Sequence, residues 1–255
     1  MSFIIAGAVE MIRFENVSFS YEDSQNLIFD KMCVDFSVGE LFALLGPSGI
    51  GKSTFIRLLS GIEMPNSGHI YIEGDKINSK RHRLGLVPQD NGLVEWLDVK
   101  SNICIGTEIK QNFDREFFNT LVEIMGISEC LDSYPSRLSG GQQKRVAIAR
   151  ALLVKPHVLL LDEPFVSLDE QTSGKIQDLI LKLHDKYKVT MILVTHRYKE
   201  ALYLGERIGV LGGKPAKFVD IVENDIQGNR SDIERDEYLK RLNSLETIMK
   251  ESHSV

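Results

Sequence analysis

The sequence predicts an α/β fold: a mostly parallel sheet with helices packed on both faces. Three observations carry this expectation. The runs Leu41–Leu45, Val158–Leu161 and Val189–Val194 are short and apolar but for Thr190, as strands buried on both faces are. Helix-periodic stretches separate them, and strand–helix–strand order implies a parallel sheet. A glycine-rich loop stands directly between the first of these runs and a helical segment, the setting that a phosphate-binding loop requires.

The elements follow in order. Ile12 to Phe19 alternates with period two, and Cys33 to Val38 repeats the pattern ahead of a Gly39-Glu40 turn, so both read as strands. After the buried run Leu41–Leu45 and the loop, Thr54 to Ser60 has helical spacing. Short strands are expected at His69–Ile72 and Leu84–Val87. From Val99 to Leu131 the pattern is helical, with Phe113, Phe117, Leu121, Ile124 and Met125 at helix spacing. Arg145 to Val154 is a further helix, stopped by Pro156, and Thr172 to Tyr187 another. Residues 216–255 are expected to form a helical tail, charged from Asp220 onward, with Leu239, Leu242, Leu245 and Ile248 as a modest apolar stripe. Met11 opens a more typical first strand than Met1 does, so residues 1–10 are expected to be an extension.

At 255 residues the chain is long enough for one sizeable domain with a small subdomain. A net charge of -6 argues against nucleic acid as a partner, because such proteins carry a basic excess or patch. Cys33, Cys104 and Cys130 are far apart and form no C-x-x-C pair. They predict buried reduced thiols, which suits the cytosol. No stretch approaches the roughly 18 apolar residues that span a bilayer, and Met1–Val9 lacks the basic start of a signal peptide. The chain is therefore not expected to cross a membrane, and any transport role would need membrane-spanning partners.

The loop reads Gly46-Pro47-Ser48-Gly49-Ile50-Gly51-Lys52-Ser53-Thr54. Its glycines let backbone N–H groups turn inward around phosphate oxygens, and the helix that follows points its positive dipole end at them. Lys52 can reach β- and γ-phosphates, and the Ser53 hydroxyl can ligate Mg²⁺. The strand Val158–Leu161 delivers Asp162 and Glu163 to the carboxyl edge of the sheet, where ligands bind in open α/β folds. Asp162 is a candidate Mg²⁺ ligand. Glu163 is a candidate to orient or deprotonate an attacking water.

Leu138-Ser139-Gly140-Gly141-Gln142 ends twenty residues before Asp162. This pentapeptide resembles the signature motif of ATP-binding cassette ATPases. Tyr21, 25 residues before Gly46, resembles their adenine-stacking aromatic. Gln89 resembles the Q-loop glutamine, Ser167-Leu168-Asp169 the D-loop, and His196 the switch histidine. The resemblance covers about residues 11–215. It implies a P-loop NTPase core of the RecA type, a small antiparallel β subdomain, and a helical subdomain over about residues 90–155. It also implies ATP and Mg²⁺ as cofactors, with Glu163, His196 and Gln89 catalytic and Gln89 a further metal contact. Ser139, Gly140, Gly141, Gln142 and Asp169 would contact nucleotide across a head-to-tail dimer, each ATP lying between one loop and the second copy's signature.

Leu93–Ile103, Tyr198–Arg207 and Gly213–Lys217 resemble the importer branch for nitrate, taurine and alkanesulfonates. Val94-Glu95 and Lys214-Pro215-Ala216 depart from that branch's usual residues. Trp96 is either core packing or part of a surface for the membrane subunit. The resemblance thus implies an ATPase that energises import of a small anion or vitamin precursor. Its partners would be permease subunits and, indirectly, a solute-binding protein, at the cytoplasmic face of the membrane. The chain ends about 40 residues past Pro215, without the β-barrel domain expected of sugar importers. An exporter or lipid-extracting system is the alternative within transport, and a soluble cassette ATPase the alternative outside it. The latter is disfavoured because no coiled-coil insertion or basic arm is visible.

Overall fold

The computed structural model describes residues 10–22, 26–77, 82–110, 113–228 and 235–252. Residues 1–9, nearly all of the expected extension, lie outside them. The chain opens with strands β1 (Glu10–Phe19), β2 (Phe29–Ser37) and β3 (Leu41–Leu45), then helix α1 (Lys52–Leu59). Strands β4 (Ser67–Ile72), β5 (Asp75–Lys76) and β6 (Leu84–Val87) follow, then helices α2 (Val99–Lys110), α3 (Arg115–Met125) and α4 (Gly140–Leu153). The remainder is β7 (Val158–Asp162), α5 (Glu170–Tyr187), β8 (Thr190–Thr195), α6 (Tyr198–Leu204), β9 (Arg207–Gly212), β10 (Lys217–Glu223) and α7 (Arg235–Ser252).

Two sheets result. The larger runs β10-β9-β3-β8-β7-β6. Its pairs from β9 to β6 are parallel and β10 is antiparallel at one edge. The central strands β3 and β8 are buried along their whole length, which is why β3 reads as an unbroken apolar run and β8 as one with threonines only at its ends. The smaller sheet, β2-β1-β4-β5, is antiparallel. An aromatic cluster ties it to α1. Phe55 stacks on Phe14 at 4.6 Å and meets Phe29, Phe36 and Phe218 edge-on. Burying one such ring contributes about 1.5–3 kcal/mol, so the small sheet holds the helix that follows the loop.

The single helical stretch expected from Val99 to Leu131 is two helices. Asp114 accepts the Phe117 N–H at 3.0 Å and caps α3, and α3 ends on Gly126 at φ 62°. A cap of each kind interrupts a pattern that apolar spacing alone reads as continuous. Caps also explain why α4 and α5 begin earlier than expected. Ser139 and Gln142 form a capping box, and Asp169 accepts the Thr172 N–H. The segment after Pro215 is not helical throughout, because β10 pairs with β9 before α7 begins. Phe218 anchors that strand against Phe42. Leu245 is buried and Leu242 and Ile248 are partly buried against Ala201, Leu202 and Ile208. The Leu239 side chain lies outside the described residues.

Trp96 is 80% exposed, which removes core packing as its role. Cys104 and Cys130 are buried, Cys33 is partly buried, and none of the three is in a disulfide. Among the described residues, no helix is long and apolar enough to cross a membrane.

Candidate active site

The loop 46–51 leaves β3 and enters α1 at the carboxyl edge of the parallel strands. Gly51 caps the helix at φ 110°, and a Cβ there would lie 2.7 Å from Ile28 Cγ2. Only glycine fits both the backbone angle and the space. No side chain caps α1, which leaves its first-turn amides available to an anion. Lys52 is only 5% exposed. Its Nζ donates to the carbonyls of Gly46 and Pro47, both at 2.9 Å, and lies 3.6 Å from Glu163 Oε1. Burial pushes the Lys52 pKa down, and the charges of Glu163 and Asp162 pull it back. Thr54 Oγ1 is 3.3 Å from the Tyr21 hydroxyl. The Tyr21 ring meets Phe19 edge-on at 5.0 Å and stays 38% exposed, so it is attached to the loop's helix with part of its surface free.

At the end of β7, Asp162 Oδ1 accepts from Ser53 Oγ at 3.5 Å. Burial raises the Asp162 pKa, and the Ser53 hydrogen bond opposes it. A hydroxyl and a carboxylate side by side are the hard oxygen donors that Mg²⁺ takes alongside phosphates and waters. The residues present therefore fit that ion. Glu163 leaves the strand in the left-handed region, φ 44°, with its N–H donating to the Val194 carbonyl at 3.0 Å. A non-glycine residue pays about 1–3 kcal/mol for such a backbone. The turn places its two carboxylate oxygens differently: Oε1 near Lys52, and Oε2 3.3 Å from His196 Nδ1.

His196 follows β8 on a braced turn. Thr195 Oγ1 donates to Glu200 Oε2 and accepts the Arg197 N–H at 3.0 Å, while Arg197 Nη1 donates to Glu200 Oε1 at 2.9 Å. Glu200 is buried, and burial raises its pKa.

The structure gathers Gly46–Thr54, Tyr21, Asp162, Glu163 and His196 around one edge. Ser139–Gln142 stands elsewhere, with no hydrogen bond or ion pair to residues 46–54 among the described residues. Ser139 Oγ accepts the Gln142 N–H at 3.3 Å, and the Ser139 N–H donates to Gln142 Oε1 at 2.9 Å. That box uses two of the amide donors at this helix end and leaves those of Gly140 and Gly141. The segment packs on the D-loop side: a Cβ on Gly141 would lie 2.6 Å from Thr172 Cγ2, and one on Gly140 3.3 Å from Leu168 Cδ2. Asp169 is committed as the cap of α5. The Gln89 side chain is exposed, and its carbonyl accepts from Lys144 Nζ at 3.3 Å.

Two charged residues escape notice in the sequence. Glu200 braces the His196 turn, and a carboxylate in the first turn of a helix just after a strand-end threonine is the signal for it. Lys144 is buried at 2% exposure. It shares a helix face with Ile148 and Ala151, which an i, i+4, i+7 count would have flagged. Burial pushes its pKa to about 8, with Asp90 and Asp162 pulling upward.

The family model described as ABC transporter matches residues 29–166, from the start of β2 past Glu163. The chain belongs to the ABC transporter family. The cassette is 37% identical over 213 residues to the aliphatic sulfonates import ATP-binding protein SsuB of Bacillus cereus, covering 84% of this chain and 85% of that protein. It is 41% identical over 207 residues to the probable sulfate/thiosulfate import ATP-binding protein CysA of Chlorella vulgaris, covering 78% and 86%. Among solved structures, the dimeric post-hydrolysis state of the ATP-binding cassette MJ0796 bound to ADP and Pi superposes with a TM-score of 0.74. That match is 28% identical and covers 84% of this chain and 98% of that one. The cassette is an ATPase of the kind found in import systems.

Proposed function

We propose that this cassette hydrolyses magnesium–ATP as a head-to-tail pair of copies and energises import of a small sulfur-containing anion, an alkanesulfonate or sulfate-like solute, through membrane partners. The observation that supports it most is the split between two half-sites on one chain. The loop, Asp162, Glu163 and His196 cluster together, while Gly140 and Gly141 pack against Leu168 and Thr172 and, among the described residues, make no hydrogen bond to that cluster. A second copy supplies what each lacks. The relatives named for sulfonate and for sulfate/thiosulfate import support the solute class.

In this reading Lys52 and the loop amides hold the β- and γ-phosphates, and Tyr21 stacks on adenine. Ser53 and Asp162, with Gln89, hold the magnesium ion, which neutralises charge developing on the phosphates. Glu163 accepts the proton of the attacking water. His196 keeps the Glu163 carboxylate aimed, and the Thr195–Arg197–Glu200 brace keeps His196 in place. The partners are permease subunits fed by a solute-binding protein, which places the cassette at the cytoplasmic face of the membrane. Exposed Trp96, beside the Gln89 loop, lies on the surface proposed to meet the permease.

The test uses the cassette reconstituted with its permease in vesicles. Wild type should show ATPase activity stimulated by binding protein loaded with an alkanesulfonate or sulfate. Glu163→Gln should bind ATP, lose about 10²–10⁴ of its rate, and remain dimeric with ATP. Wild-type-like turnover by Glu163→Gln would remove Glu163 from the base role, and stimulation by sugars or lipids instead would overturn the solute class.

A further inference from the structure

The helix that starts at the signature also holds the loop that carries Gln89, and it does so by side chains gripping backbone. Lys144 Nζ donates to the carbonyls of Pro88 at 3.4 Å and Gln89 at 3.3 Å. Arg150 donates to the carbonyls of Asn91 at 2.7 Å and Gly92 at 2.6 Å. Gln143 Oε1 accepts from Asn91 Nδ2 at 3.4 Å. The loop itself is a tight turn, the Asn91 N–H donating to Pro88 O at 3.1 Å, with Asn91 at φ 66° and Gly92 at φ 56°. Four carbonyls within five residues are thus held by one helix.

Arg150 secures the far side of the turn, and of the side chains gripping it Lys144 is the one that holds Gln89, the proposed magnesium contact. A lysine buried without an ion pair costs free energy that a methionine of similar length would not. No ion pair of Lys144 exists among the described residues; the charges of Asp90 and Asp162 are its electrostatic company. The tight packing around Lys144 does not by itself call for an ammonium. The two carbonyls do.

We propose that Lys144 is a positioning residue for hydrolysis: it fixes the backbone of Pro88 and Gln89 to α4, so that the signature helix sets where Gln89 stands relative to the nucleotide. Lys144 is five residues from Ser139, about 7.5 Å along the helix axis. Any shift of α4 on capture of the second copy's nucleotide is carried to Gln89 by a rigid element. This rests on the composite-site reading above.

The test is a double-mutant cycle on the full-length cassette with Lys144→Met and Gln89→Ala, reading kcat and KM for ATP, and melting temperature. Lys144→Met should lower kcat at least tenfold with KM within about twofold and melting unchanged, because the role is not in nucleotide binding. Lys144→Arg, which keeps donors for both carbonyls, should recover at least a third of the rate. In the Gln89→Ala background, Lys144→Met should cost less than twofold more. A kcat within twofold of wild type, a loss confined to KM, or equal losses in both backgrounds would overturn the role. If Lys144→Met does not fold, Lys144→Leu, which likewise has no donor, takes its place under the same criteria. ATP-dependent dimerisation of Glu163→Gln is measured alongside. Failure of that dimer sinks the composite site, whereas an intact dimer with additive losses sinks the positioning role alone.

Discussion

Replacing Ser139 by aspartate separates what the signature does for the fold from what it is proposed to do for a second copy. Ser139 is exposed and caps α4, accepting the Gln142 N–H at 3.3 Å. Aspartate is as good a helix cap as serine, and a negative charge at a helix N-terminus adds about 0.3–1 kcal/mol. The net effect on stability is therefore between zero and about 1 kcal/mol in favour, or a rise in melting temperature of up to about 2–4 °C for a chain of this size. Alanine removes the cap and costs about 1 kcal/mol, a fall of similar size. Hydrolysis should respond to both changes in one direction. Aspartate deletes a donor and sets a carboxylate where the γ-phosphate of the second copy is proposed to lie. Loss of one such donor costs about 10²–10³ in rate, near 3–4 kcal/mol. Differential scanning fluorimetry and phosphate release measure the two effects. Ser139→Asp should melt at or above wild type and hydrolyse at least 100-fold more slowly, with ATP binding by the lone chain retained. Hydrolysis within threefold of wild type would refute the claim that Ser139 faces a phosphate.

Gly51→Ala should lower ATP affinity at least tenfold and destabilise the chain. The new Cβ meets Ile28 Cγ2 at 2.7 Å with φ at 110°, a backbone penalty of about 1–3 kcal/mol; titration with a fluorescent ATP analogue checks it, and unchanged affinity would argue against the loop as the cradle. Leu245→Ala should cost about 2–5 kcal/mol in the docking of α7, read as lost hydrogen-exchange protection there, with ATPase activity within twofold of wild type; a collapse of activity would instead give the tail a part in turnover.

What the sequence made legible was local. The strands β3, β7 and β8 announce themselves because burial on both faces leaves polar residues only at their ends, Asp162 in β7 and Thr190 and Thr195 in β8. The loop 46–54 does so because phosphate binding dictates residue types at fixed offsets. Boundaries set by single side chains were less visible. The split of α2 from α3 depends on whether Asp114 caps or faces solvent, and periodicity cannot decide that. Strand β10 was missed because its residues are only partly buried at an edge, so its alternation is weak. Trp96 was ambiguous because composition does not distinguish an aromatic awaiting a partner from one in the core. Glu200 and Lys144 carry fainter signals, a carboxylate in a helix first turn and a lysine on an apolar helix face, and periodicity alone does not say what either touches.

The contacts of Lys52 bear on the role proposed for Glu163. In the structure Nζ divides its attention between two loop carbonyls and Glu163. Phosphate oxygens compete for Nζ far more strongly than a carboxylate 3.6 Å away. A bound triphosphate would therefore draw Lys52 off Glu163 and leave the carboxylate its contact with His196. Burial already presses Lys52 toward neutrality and Asp162 toward protonation, so neither charge is well served in the chain by itself. Phosphate restores the first and a dication the second. Lys52 and Asp162 are thus the two groups whose charges a magnesium–triphosphate would stabilise, and Glu163, the proposed base, is the contact that Lys52 would give up for it.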